Sequence, residues 1–222
     1  TFFTALFFWQ YKRFLQSGTA VQGIILGVIM ALMLYSKYHG ILIILFTFLS
    51  NPKLLFKWQA WLAAMVGALL FSPHLWWQYM HDFPSVQYHL KERNAPNYRL
   101  AFSLEYIGGQ ILLAGPLIGW LLLYAAGKFK TPDLFSKALK WSMAGFFGFF
   151  LLSTFKGRVE ANWTVPALIP MIILAHAWLT DTPQFSKWVF RLLPVTLCII
   201  VIVRLYMLTD IPLITKRFHD EM

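Results

Sequence analysis

The sequence predicts an all-α protein: a polytopic bundle of transmembrane helices with a cap formed by one extracytoplasmic loop. Hydrophobic residues make up 59% of the chain and charged residues only 13%, about half the charged share of soluble domains. Apolar runs approaching the roughly 20 residues that cross a bilayer as a helix recur along the sequence. We therefore expect one membrane-embedded domain over residues 1–222, with the lipid bilayer as its main solvent.

Eight apolar runs between polar segments define the predicted spans. The runs are 1–11, 19–36, 39–50, 58–75, 102–125, 138–155, 163–180 and 188–208. The run at 39–50 is short for a full crossing, so we expect a tilted or partly inserted helix there. The chain opens on Thr1 inside an apolar run, which predicts a fragment that lacks its amino-terminal part and holds a truncated first span.

Glycines spaced four apart predict close helix packing inside the bundle. They occur in "GIILG" at 23–27 and "GPLIG" at 115–119. Small residues at this spacing let helix backbones approach each other in lipid. Packing is therefore the expected role of these glycines.

The net charge of +10 does not indicate nucleic-acid binding, because the basic residues are scattered between apolar runs rather than gathered on one face. If each run crosses once, one side holds ten basic residues and the other holds nine. We assign the first side to the cytoplasm, although these numbers do not decide orientation. Its ten basic residues are Lys12, Arg13, Lys53, Lys57, Lys128, Lys130, Lys137, Lys140, Lys187 and Arg191.

The single cysteine, Cys198, excludes an intrachain disulfide and a thiolate metal cluster.

Most acidic residues and histidines fall on the second side, which indicates that chemistry is concentrated there. The longest polar loop on that side spans residues 76–101. Within it, His81, Asp82 and His89 are candidate ligands for a divalent metal, since imidazole and carboxylate groups suit such ions. Their spacing matches no standard site, so interfacial polarity or substrate contact is the alternative. Arg93, four residues after His89, would share its helical face and could bind a phosphate.

Lys37 lies in "YSKYHG", between two apolar runs. An ammonium there must reach the membrane surface, a counterion or a lipid phosphate. The simplest explanation of Lys37 is a side chain that extends to the membrane surface. The functional alternative is a phosphate site in which Tyr35, Tyr38 and His39 are hydrogen-bonding neighbours.

The stretch "KGRVEANW" at 156–163 places Arg158, Glu160 and Asn162 in a tight connection between two spans on the same side. One interpretation is a solvated turn with Trp163 in the aromatic belt. The other is a site where the carboxylate binds substrate hydroxyls or balances a cation near a phosphate.

Together, "YSKYHG", "HLWWQYMHDFPSVQYHLKER" and "GRVEANWTVPA" resemble the bacterial membrane glycosyltransferases related to dolichyl-phosphate-mannose protein mannosyltransferases and the lipid A aminoarabinose transferase. The resemblance implies a multi-pass enzyme of the inner (plasma) membrane that passes a sugar from a polyprenyl-phosphate donor to lipid A, another glycan or a protein. It also implies a catalytic carboxylate in an earlier loop that precedes Thr1, so the fragment alone is expected to be inactive.

The resemblance suggests roles for eight of the candidate residues. Cationic groups would hold the phosphate, namely Lys37, Arg93 and Arg158, while Glu160 and Asn162 would bind hydroxyls. His81, Asp82 and His89 would close the site or hold a metal, and no other cofactor is expected. Two alternatives stay open: a transporter or flippase of a lipid-linked or anionic solute, and a non-catalytic membrane scaffold.

Overall fold

The computed structural model describes residues 1–88, 95 and 97–208, and for Met207 the backbone only. Regular structure within these residues is helical, with no strand, which confirms the all-α class. The helices are α1 (Phe2–Ser17), α2 (Ala20–Ser36), α3 (Gly40–Ser50), α4 (Trp58–Met80), α5 (Pro84–Gln87), α6 (Leu100–Ala114), α7 (Gly119–Lys128), α8 (Leu134–Ser153), α9 (Val165–Thr180) and α10 (Pro183–Leu208). Two 3₁₀ turns, Pro52–Phe56 and Ala161–Thr164, precede α4 and α9.

Three helices within the described residues are long and apolar enough to cross a membrane: Trp58–Met80, Ala161–Thr180 and Pro183–Tyr206. The pair α6 and α7 adds a fourth if it is one broken span. The predicted count of eight spans is not confirmed. α2 and α3 are apolar but shorter than a full crossing, and α1 and α8 carry lysines within their length.

The run at 102–125, predicted as one span, is divided by a bend of 92° between α6 and α7. Gly115 ends α6 with φ +128°, a backbone conformation that residues with a Cβ rarely adopt. Pro116 follows and lacks the N–H that would continue the helix. Hydropathy is continuous across this point, so the apolar pattern did not reveal the break.

The predicted close packing at 23–27 is confirmed, because α2 lies directly against α4. A Cβ on Gly23 would be 2.7 Å from the Gln59 carbonyl oxygen, and one on Gly27 would be 2.5 Å from that of Ala63. The other main pairs are α1 with α2, α3 with α8 and α7 with α9. Aromatic side chains of α1 fill the centre, with Phe7, Phe8 and Phe14 all buried.

Replacing Asp133 with alanine is expected to destabilise the start of α8 by about 1 kcal/mol. The Asp133 carboxylate accepts a hydrogen bond from the Ser136 N–H at 2.9 Å, and the Ser136 hydroxyl lies 3.3 Å from the Asp133 N–H. Titration with denaturing detergent would measure the free energy of unfolding. Asp133→Asn keeps an oxygen acceptor and is the control; equal stability of the two variants would contradict this role of the carboxylate.

Candidate functional site

Lys37 occupies the short break between α2 and α3, where three residues separate the helices. Its backbone is extended, with φ −165° and ψ 124°, so α2 ends there. The Lys37 ammonium donates a hydrogen bond to the Asn162 carbonyl at 3.1 Å. Partial burial lowers the pKa of Lys37, because desolvation disfavours the charged form. One cation thus joins two segments that are 125 residues apart in sequence.

Burial alternates over residues 156–160 of the "KGRVEANW" stretch, which connects the turn after α8 to the 3₁₀ turn Ala161–Thr164. Lys156, Arg158 and Glu160 are exposed, whereas Gly157 and Val159 are buried. The small and apolar residues pack inward, and the three charged groups point outward. This alternation explains how charges are accommodated between two apolar helices.

The turn Ala161–Thr164 is fixed by a buried polar contact with α6. The Thr164 hydroxyl is within hydrogen-bond distance of the Gln110 side-chain amide and lies 2.9 Å from the Ala161 carbonyl. A hydroxyl has a single proton to donate. The Thr164 hydroxyl therefore shares this proton between the Gln110 side-chain oxygen and the Ala161 carbonyl, and so connects the turn to α6.

A polar cleft of about 700 Å³ lies where these two segments meet. We call it the polar cleft. Its lining residues are Leu34, Tyr35, Ser36, Lys37, Tyr38, His39, Tyr88, Glu160, Asn162 and Trp163. The structure therefore brings together four of the nine predicted site residues: Lys37, His39, Glu160 and Asn162.

An apolar groove of about 490 Å³ adjoins the polar cleft. Its lining residues are Tyr38, His39, Ile41, Leu42, Phe149, Phe150, Leu152, Ser153, Lys156, Gly157, Arg158, Val159 and Trp163. Tyr38, His39 and Trp163 line both spaces. The His39 ring packs against Phe150 and Trp163, with ring centres 5.1 and 5.0 Å away.

Arg158 forms an ion pair with Glu105 of α6, with 3.0 Å between Nε and Oε2. The two side chains are 69% and 50% exposed, so the pair contributes little to stability. Sequence reasoning grouped Arg158 with its neighbours Glu160 and Asn162 and missed Glu105, which is 53 residues away. No local spacing signals such a contact.

Sequence reasoning missed the hydrogen bonds that hold Tyr38, a lining residue of the polar cleft, against α4. The buried Gln78 amide nitrogen donates to the Tyr38 and Ser85 hydroxyls, each at 2.8 Å. The Tyr38 hydroxyl contacts His74 Nε2 and, since it accepts from Gln78, donates its own proton there. His74 and Gln78 lie one helical turn apart in α4, and that spacing was the signal available in the sequence.

The remaining predicted residues lie elsewhere. His81 and Asp82 line neither cavity: His81 Nδ1 donates to the Trp77 carbonyl at 2.8 Å, and its ring stacks on Trp77 at 4.4 Å. α4 extends to Met80, so the predicted loop at 76–101 begins inside a helix. His89 and Arg93 are outside the described residues. Within the part that is described, no three His, Cys, Asp or Glu residues come together to hold a metal, and the metal stays a prediction.

Replacing Gln78 with leucine is expected to destabilise the protein by about 1–3 kcal/mol, because the Tyr38 and Ser85 hydroxyls would lose a buried donor. The free energy of unfolding in detergent would measure this change. Gln184→Leu, at an exposed position in the first turn of α10, is the matched control. Equal effects of the two substitutions would contradict a role for the Gln78 cluster.

No protein-family model matches the chain, and no solved structure matches it. A similarity does exist to the lipid A galacturonosyltransferase RgtD of Rhizobium johnstonii, at 28% identity over 131 residues. The chain is similar to a glycosyltransferase. The match covers 57% of this chain and 27% of the relative, so the chain spans about a quarter of that protein's length.

This similarity agrees with the sequence prediction at a coarse level. It supports a glycosyltransferase-like membrane protein, together with the apolar helices. The finer relationship to protein mannosyltransferases and the aminoarabinose transferase is not shown.

Proposed function

We propose that the chain forms part of a membrane glycosyltransferase that moves a sugar from a polyprenyl-phosphate carrier to an acceptor at the extracytoplasmic face. The observation that carries the proposal is the junction of a polar cleft, which contains an ammonium and a carboxylate, with an apolar groove. A polyprenyl-phosphate sugar has the same division into a polar head and an apolar tail. The similarity to a glycosyltransferase supports the same class.

In this proposal the carrier phosphate lies beside the Lys37 ammonium, and the sugar hydroxyls contact Glu160 and Asn162. The polyprenyl chain follows the groove along Leu42 and Phe149. During transfer, the oxygen of an acceptor hydroxyl bonds to the anomeric carbon and loses its proton to a general base, and the bond from that carbon to the phosphate oxygen breaks. Negative charge then grows on the leaving phosphate, and a cation stabilises this charge most in a partly desolvated site.

The acceptor is lipid A, another glycan or a protein. Lipid A is the preferred candidate because the name of the relative specifies it. The protein would reside in the inner membrane as a multi-pass protein. The count of about eight spans belongs to this proposal, with α1, α2, α3 and α8 inserted beside the longer helices.

A second candidate function, a transporter or flippase of a lipid-linked solute, is favoured by the bend of 92° between α6 and α7. Interrupted helices at membrane depth often contact transported solutes. The presence of both an ammonium and a carboxylate in one polar cleft favours transfer over transport.

The decisive experiment places the full-length protein in lipid nanodiscs and supplies one radiolabelled sugar on different donors. We expect transfer to lipid A from the polyprenyl-phosphate sugar and none from the nucleotide sugar or the free sugar. Transfer from the nucleotide sugar alone would overturn the proposed donor. Movement of labelled lipid across proteoliposomes without any transfer would instead support the transporter.

A further inference from the structure

Five lysines gather around the connection between α7 and α8. Lys128 ends α7, while the Lys140 ammonium donates to the carbonyls of Gly127 and Phe129 at 2.7 and 2.6 Å. From α1, the Lys12 ammonium lies 5.5 Å from the centre of the Phe135 ring in the first turn of α8. We call the group the lysine cluster; its members are Lys12, Lys128, Lys130, Lys137 and Lys140.

The lysine cluster carries positive charge that the described part of the chain does not neutralise. Asp133 is the acidic residue of this connection, and its carboxylate already caps α8 through the Ser136 N–H. Among the described residues, no carboxylate lies within ion-pairing distance of a cluster lysine. Like charges held close together repel each other, so a negatively charged partner would stabilise this end of the bundle.

Aromatic rings beside the lysine cluster indicate what kind of negatively charged partner it binds. The Lys128 ammonium lies 5.4 Å above the Tyr124 ring, which stacks on Phe185 at 5.8 Å and meets Trp178 edge-on at 5.9 Å. Tyrosine and tryptophan rings next to lysines at the ends of apolar helices are typical of the headgroup level of a bilayer. The cluster therefore lies where lipid phosphates are the most abundant anions.

The lysine cluster is far from the polar cleft. The Gln10 side chain bonds to the first turn of α2 at Gln22, so the end of α1 that bears Lys12 lies beside the start of α2. Lys37 follows the opposite end of that 17-residue helix, about 25 Å away along its axis. Ligands at the two places cannot contact the same cation.

We propose that the lysine cluster binds anionic phospholipid headgroups of the leaflet that this end of the bundle faces. Lys128, Lys130 and Lys137 meet the phosphates, and Lys12 approaches them from α1. Lys140 is a positioning residue, because its ammonium is already bonded to the two carbonyls at the end of α7. Basic groups between helices at a membrane surface attract anionic lipids in this way.

The test uses the full-length protein in nanodiscs of phosphatidylcholine, with and without phosphatidylglycerol. We expect phosphatidylglycerol to raise the unfolding temperature and to be enriched among the lipids that co-purify with the protein. Each neutralised lysine should weaken this binding about fivefold, so Lys128→Gln with Lys137→Gln should weaken it roughly 25-fold. Binding should also weaken with salt.

Matched variants separate this site from general charge effects. Arg99→Gln with Arg204→Gln removes two exposed cations elsewhere and should leave phosphatidylglycerol binding at the wild-type level. Lys128→Arg with Lys137→Arg keeps the charge and should also bind phosphatidylglycerol as the wild type does. If the glutamine variant folds poorly, loss of binding in this arginine variant would contradict the proposal. The proposal would be overturned if Lys128→Gln with Lys137→Gln and Arg99→Gln with Arg204→Gln lost equal amounts of phosphatidylglycerol binding. It would also be overturned if inorganic phosphate stabilised the protein equally in phosphatidylcholine nanodiscs.

Discussion

Replacing Lys37 with glutamine is expected to lower transfer from a polyprenyl-phosphate sugar by about 100-fold or more. Removing one preorganised group that stabilises transition-state charge typically has an effect of this size. Glutamine keeps a side-chain donor for the Asn162 carbonyl, so the break between α2 and α3 should persist. The measurement is kcat/KM for the donor with the full-length protein in nanodiscs.

The control for Lys37→Gln is Lys53→Gln, which removes an exposed lysine from the 3₁₀ turn before α4. Its kcat/KM should equal that of the wild type. Transfer by Lys37→Gln within a few-fold of the wild type would refute the assigned role of the ammonium.

The pH profile provides a second readout for Lys37. Burial lowers the pKa of this lysine, so its charge is lost at a lower pH than that of an exposed lysine. Phosphate binding should therefore decline on the alkaline side of the profile, and the decline should move to higher pH in Lys37→Arg, because a guanidinium stays protonated.

Replacing Gly27 with alanine is expected to destabilise the protein by about 1–3 kcal/mol, through overpacking between α2 and α4. The added Cβ would lie 2.5 Å from the Ala63 carbonyl oxygen and 2.8 Å from the Val66 Cβ. Neither atom is the end of a flexible side chain, so the helices must separate. Detergent-induced unfolding would measure the loss.

Gly148→Ala in α8 is the matched control for Gly27→Ala. A Cβ at Gly148 would meet no atom within 4 Å. Alanine also has the higher helix propensity, so stability should rise by about 0.5–1 kcal/mol. Identical responses of the two glycines would show that backbone approach does not govern the packing of α2 on α4.

Much of the helical pattern could be predicted because apolar runs and helices share their ends. The runs 19–36 and 39–50 correspond to Ala20–Ser36 and Gly40–Ser50, whose ends coincide with polar residues or a cap. The bend at Gly115 could not be read from hydropathy, since it depends on backbone dihedral angles rather than on the composition of the run. The extension of α4 through Trp77 was missed for the reverse reason: interfacial residues interrupt the apolar pattern without ending the helix.

The candidate site was only partly predictable. Lys37 and Glu160 were identified because each lies in a short connection between two apolar runs. Their shared cleft depends on the fold, as do the pairing of Arg158 with Glu105 and the contacts of Gln78. A shared side of the membrane suggested that His81 and Asp82 belong with the other candidates, but neither residue lines the polar cleft.

Tyr38, His39 and Trp163 form a wall common to both cavities. A substitution at any of them therefore reshapes both spaces at once. In the proposed function, the sugar and the lipid carrier would both contact this wall, so one substitution would alter the preference for both. A variant selected for a new sugar through Trp163 would then also differ in its choice of lipid carrier.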